Sequence, residues 1–118
     1  MQDLKSRTKR FALDIVLFCR RLPLAVEMDV IKRQLIRSAT SVAANYRASQ
    51  RARSRADFVY KLGLAEEEAD ESLVWLECLD ELATREHPEL QRLVDEANEL
   101  VAVLVTSRKN ARNHGSNL

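Results

Sequence analysis

Apolar positions recur along this chain at intervals of three, four and seven, in four stripes separated by polar or proline-marked breaks. An α-helix returns to the same face at those intervals, so each stripe predicts one helix. The first stripe is Leu4, Phe11, Ile15, Phe18 and Leu22, over about Asp3 to Leu22. Pro23 ends it, because proline lacks an N–H donor and crowds the preceding turn. The second runs from about Glu27 to Ser49 or a few residues beyond, as Met28, Ile31, Leu35, Ser38, Ala39, Val42, Asn45 and Tyr46. Most of its inward positions after Leu35 are small. The third opens after Ser54, with Asp57 three residues on as a capping-box variant, and reaches about Arg85 along Phe58, Leu62, Ala65, Ala69, Leu73, Leu76 and Ala83. The fourth starts at Pro88, a residue suited to a first helical turn, and carries Leu90, Leu93, Val94, Ala97, Leu100, Val101 and Leu104. The polar end "RKNARNHGSNL" shows no apolar stripe and is expected to fray, which sets a single domain at 1–113 and a tail at 114–118.

Four long helices joined by short turns have one economical arrangement, an all-α antiparallel up-down-up-down bundle. A chain of 118 residues can close one core and not two. Two glycines and two prolines agree with a helical chain that has few turns. No stretch approaches the roughly 20 apolar residues that span a bilayer. No apolar segment with a small-residue cleavage site follows the N-terminus, so the expected location is the cytoplasm, with no membrane partner. Cys19 and Cys78 stand apart in helices without CxxC spacing, as small buried hydrophobes rather than a disulfide or zinc framework.

Two helices carry more apolar surface than one bundle needs. On a helical wheel Leu64, Trp75, Cys78 and Leu82 gather on a second face of the third helix, and Leu13 and Leu17 lie off the core stripe of the first. A second face implies a second buried contact, with a protein partner or another copy of the chain. Charge separation tilts the choice toward self-association. Residues 1 to 55 carry 13 Lys and Arg against 4 Asp and Glu, and residues 56 to 99 carry 3 against 14. Such halves are complementary across a head-to-tail interface, which closes into a ring where the rotation permits. Leu13, Leu17, Leu64, Trp75, Leu82, Glu67 and Glu71 are the candidate interface residues. Charges paired inside one chain, with Trp75 at the core edge, form the other reading.

The segment "IRSATSVAANY" and the four stripes together resemble the four-helix-bundle family of ribosomal intervening-sequence, or S23-like, proteins of bacteria. The resemblance runs from "LKSRTKRFALDIVLFCRRLP" to the last helix. Its specific part is Arg37, Ser38, Ala39, Ser41, Val42, Ala44 and Asn45, then Phe58, then "EEEADES" before Trp75 and Leu76. It implies a homopentamer around a central channel, without assigned activity. A more distant resemblance in fold is to the accessory variability proteins of diversity-generating retroelements, which are pentamers that bind a reverse transcriptase and nucleic acid through basic surface. Where many members have Ala-Glu-Gly after the Asn, this chain has Arg47, Ala48 and Ser49. Without that glycine a helix stop is lost, and an extended end to the second helix is expected.

Candidate chemistry concentrates at Arg47, Arg51, Arg53 and Arg55. Guanidinium groups bind phosphate bidentately, so this cluster, with Lys9, Arg10, Arg20 and Arg21, is the candidate RNA- or DNA-binding surface. Solvation, or pairing with Glu66, Glu67, Glu68, Asp70 and Glu71 of a neighbouring subunit, is the competing use. Asn45 and Ser38 are candidate buried polar residues, and Asn45→Ala is expected to lower stability because a buried amide needs partners. A di-metal site would need Glu-x-x-His pairs facing inward, which His87 and His114 do not supply. His87 precedes a proline at a helix start, as a cap or turn residue. No metal, cofactor or catalytic residue is assigned, and the chain is expected to be a non-enzyme.

Overall fold

The computed structural model describes residues 3–116, with side chains as far as residue 113. Those residues form four helices, α1 (Leu4–Cys19), α2 (Val26–Gln50), α3 (Arg55–Leu82) and α4 (Pro88–Ser116), and among them there is no strand. Successive helices pack antiparallel, α2 on α3, α3 on α4, α1 on α2, and α1 more lightly on α4. The result is a rod of 53 × 21 × 21 Å.

Local chemistry explains most of the boundaries. Asp3 caps α1 by accepting from the Ser6 backbone N–H at 2.7 Å, and Ser54 caps α3 by accepting from the Asp57 N–H at 3.1 Å. The Asp57 carboxylate returns a bond to the Arg53 N–H at 3.3 Å, so the box closes one residue earlier than the standard pattern. At α4, Pro88 lacks an N–H and the His87 carbonyl accepts from the Gln91 N–H, which makes His87 the cap residue. α2 does run past the missing glycine, to Gln50, and stops without any left-handed residue.

Three sequence-derived ends move. α1 closes at Cys19 rather than Leu22, because the Arg21 and Leu22 N–H groups tighten onto the Phe18 and Cys19 carbonyls. α3 ends at Leu82 rather than Arg85, where Ala83 turns extended and begins the crossing to Pro88. α4 continues to Ser116, past the expected boundary at 113, and the segment after Ser107 has an inward position, since Ala111 is only 6% exposed. The His114 side chain, Asn117 and Leu118 lie outside the described residues.

The core has two parts. One draws on all four helices through Phe11, Ile15, Phe18, Leu35, Ala39, Leu76, Leu79, Leu90, Leu93 and Leu100. The other contains only α2, α3 and α4, through Val42, Leu62, Ala65, Ala69, Leu104 and Ala111, with Tyr46 and Phe58 against it. α1 is 16 residues long and its neighbours are 25 to 29, so one end of the rod is a three-helix bundle. α1 ends as a step on its side.

Small residues let α2 and α3 approach closely. Ser38 and Ser72 are fully buried and face each other, the Ser72 hydroxyl donating to Ser38 Oγ at 2.8 Å while Ser38 donates to its own Leu35 carbonyl at 3.1 Å. Asn45 departs from expectation. It is only half-buried, and its amide donates to the Ser41 carbonyl one turn earlier at 2.9 Å, within its own helix.

Candidate nucleic-acid interface

The antiparallel topology brings the basic residues of three distant segments to the three-helix end. Arg47 lies on the last turn of α2, Arg51 and Arg53 lie in the turn that follows, and Arg55 begins α3. All four are exposed. None forms a side-chain ion pair or hydrogen bond with another described residue. Beside them stand Lys5 and Lys9, on the first turns of α1, and Lys109 and Arg112 on the last turns of α4, all exposed. Sequence pattern alone does not assign Lys5, Lys109 or Arg112 to this group. Their place follows from an even number of helices, which returns the chain's end to the side on which it began.

Two carboxylates share this end. Asp3 is held by its cap bond, which also lowers its pKa. Asp57 is held below the usual carboxylate range by the Lys61 ammonium at 3.1 Å and by the Arg53 N–H. Burial against the second core raises the Tyr46 phenol, with the Asp3 charge adding to the effect. Both acids are occupied locally; the Arg53 charge adds to the lowering of Asp57, and Arg47, Arg51 and Arg55 keep their charge facing solvent.

The remaining sequence candidates separate. Arg10 shares α1 with Lys9 and reaches Asp14 at 3.7 Å, one turn on. Arg20 and Arg21 belong to the opposite end of the rod and do not join the patch. The length of α1, at 1.5 Å per residue, holds them about 20 Å from Lys5 and Lys9. At that opposite end a cavity of about 290 Å³ is lined by Phe18, Leu22, Met28, Leu79 and Leu90, with Arg21, Arg85 and His87 at its edge.

The acidic segment of α3 is engaged within the chain. Arg37 reaches both Glu68, at 2.9 Å, and Glu71, and the Trp75 indole N–H donates to Glu71 at 3.1 Å. Those bonds, the indole's first, hold the Glu71 carboxyl below its ordinary value. Arg108 of α4 pairs with Glu66 at 2.7 Å. The acids proposed as partners for a neighbour's arginines are thus partly committed to Arg37 and Arg108, neither of which belongs to the cluster. Glu67 and Asp70 remain exposed.

The second apolar faces divide similarly. Leu13, Leu17 and Leu82 are 46%, 43% and 51% exposed. Leu64 and Trp75 are half-buried, and Trp75 packs against the four-helix core, so part of the second face of α3 is used inside the chain. α3 packs on both α2 and α4, which widens the apolar arc it needs.

Among the described residues no group of three or more His, Cys, Asp or Glu could hold a metal ion, and no helix is long and apolar enough to cross a membrane. Cys19 is buried, and burial pushes its thiol up to about 11; Cys78 is half-buried and free.

Fold and surface together define a four-helix bundle with one strongly basic end. The chain belongs to the 23S rRNA-intervening sequence protein family, whose model matches residues 2–106. A solved structure from Bacteroides thetaiotaomicron, a protein of unknown function from the S23 ribosomal protein family, is 30% identical, with a TM-score of 0.80 over 91% of this chain and 99% of that one. No curated protein matches.

Proposed function

We propose that this protein is a non-catalytic, self-assembling cytoplasmic module that binds nucleic acid through the basic end of the bundle. The observation that carries the reading is the exposure of Arg47, Arg51, Arg53 and Arg55 with no side-chain ion pair to a carboxylate among the described residues, Arg53 sensing only the charge of Asp57, which Lys61 already holds. Other arginines of the chain, Arg7, Arg37, Arg92 and Arg108, reach acids across helix seams. A cluster left without ion pairs, at an end whose two acids are already engaged, suits an outside anion. Phosphate oxygens match guanidinium geometry, and such contacts supply affinity without reading sequence. The family's name ties it to ribosomal RNA, which makes an RNA stem-loop the first probe.

Self-assembly, as a pentamer by family resemblance, is supported by Leu13, Leu17 and Leu82, large apolar side chains that one bundle leaves open. A ring would repeat the basic end and raise its avidity. The second reading, a protein-interaction scaffold whose charges serve only subunit assembly, draws on the same leucines and on exposed Glu67.

One experiment addresses both readings: mass measurement of the purified assembly, followed by titration with labelled RNA and DNA at salt concentrations from about 50 to 200 mM. Binding is expected to weaken steeply with salt, and Arg51→Ala with Arg53→Ala to flatten the log–log slope by about 0.7 to 0.9 for each phosphate the variant no longer neutralises. A wild-type protein that binds neither RNA nor DNA at low salt overturns the nucleic-acid reading. A monomeric mass overturns assembly.

A further inference from the structure

Arginine–carboxylate pairs cross three of the four seams between adjacent helices. Arg37 joins α2 to Glu68 and Glu71 of α3, Arg108 joins α4 to Glu66 of α3, and Arg7 and Arg92 join α1 and α4 through Glu96 and Asp14. Among the described residues the seam between α1 and α2 has no ion pair. It holds instead a cleft of about 340 Å³ lined by Lys5, Lys9, Ala43, Ala44 and Arg47. The charged groups that line it are all cations, with the Asp3 carboxylate near Lys5 outside the lining, and the rest of its wall is Ala43 and Ala44.

We propose that this cleft is a seat for the phosphodiester backbone of a nucleic-acid strand. Lys5 and Lys9 stand one helical turn apart on α1, about 6 Å along the axis, and Arg47 faces them from α2. Like charges at that spacing repel, and a phosphate between them would relieve the repulsion. Ala43, half-buried, and Ala44, exposed, add only methyl groups to the wall and leave the three cations accessible to an anion. The cleft also continues outward. Arg51 follows Arg47 by four positions, and Arg53 and Arg55 lie beyond it, so a strand seated at the α1–α2 seam has a cationic path over the three-helix end. No aromatic, amide or carboxylate side chain lines the cleft, so it has nothing with which to read base edges. Its contribution is therefore independent of base sequence.

The inference rests on the nucleic-acid reading and is tested separately from it. The full-length protein and its Lys5→Gln, Lys9→Gln double variant are titrated with labelled oligomers of about 20 nucleotides, in two unrelated sequences, over a range of salt. Glutamine keeps the helix and removes the charge, and circular dichroism confirms folding. The double variant is expected to show a log–log salt slope shallower by roughly 0.7 to 0.9 for each phosphate it no longer neutralises, equally for both oligomers. Bound oligomer is also expected to protect Lys5 and Lys9 from amine acylation, read by peptide mass spectrometry. If the wild type binds but the double variant keeps its full slope and the lysines stay reactive, the cleft is overturned while the arginine surface stands. If the wild type binds no oligomer, both fall. If poly-glutamate protects the two lysines as well as the oligomer does, the seat takes carboxylates and the phosphodiester assignment fails.

Discussion

Ser38 and Asn45 sit seven residues apart on one helix, and their environments give them opposite importance. Ser38 is fully buried against Ser72, where a larger side chain has no room. Ser38→Ala is expected to cost under about 1 kcal/mol, because the single Ser72 hydroxyl proton can turn to the Glu68 carbonyl, 2.9 Å away. Ser38→Leu overpacks the α2–α3 seam and is expected to cost about 1–3 kcal/mol. Asn45→Ala removes one bond inside α2 and gains alanine's better helix propensity, up to about 0.7 kcal/mol, so its stability should hardly change. Urea denaturation of the three variants checks the order, and an Asn45→Ala loss above that of Ser38→Leu would contradict it. Periodicity puts both residues on the inward stripe, but Asn45 lies near α1's N-terminal step, where the bundle has one helix fewer to cover it.

Individual helices owe their limits to caps and their stability to neighbours. Ser54 starts α3 immediately after the arginine turn, and Ser54→Ala is expected to cost about 1 kcal/mol. It should also loosen the turn, since Asp57 and Arg53 are tied to the same cap. Hydrogen exchange at Asp57 is the direct measurement: its amide should exchange faster in the variant, while amides of α4 stay unchanged. The elements, the cap at Ser54 and the helix start at His87 and Pro88 were legible because those signals are local. The ends of α1 and α3 were not, because a short 3₁₀ turn after Phe18 and the length of chain needed to reach Pro88 depend on where the next helix lies.

For the whole molecule, charge is the property that folding rearranges most. In sequence order the chain is a basic half followed by an acidic one; in space the acidic stretch of α3 is partly neutralised by Arg37 and Arg108, and the exposed excess of cations gathers at the three-helix end. The pairs make stability depend on acid. Glu71 is held below its ordinary 4.5 by the Trp75 indole and Arg37, Glu89 by Arg92, and Asp57 below 3.8 by Lys61. A lowered folded-state pKa adds stability that is present above the unfolded value and is lost as pH falls through the folded one. The melting temperature should therefore hold between about pH 7 and 5 and fall below about pH 4.5, with Glu71→Gln showing a shallower fall. A wild-type melting temperature that stays flat down to about pH 3 would refute this.

Helix number, the bundle and the arginine turn could be read from the order of residues, because period, caps and proline act within a few positions. The joining of Lys5, Lys109 and Arg112 to Lys9 and the arginine turn could not, nor the removal of Arg20 and Arg21 to the other end. Those placements depend on which helix ends meet, and contacts between residues as far apart as Arg7 and Glu96 exist only after the chain has packed.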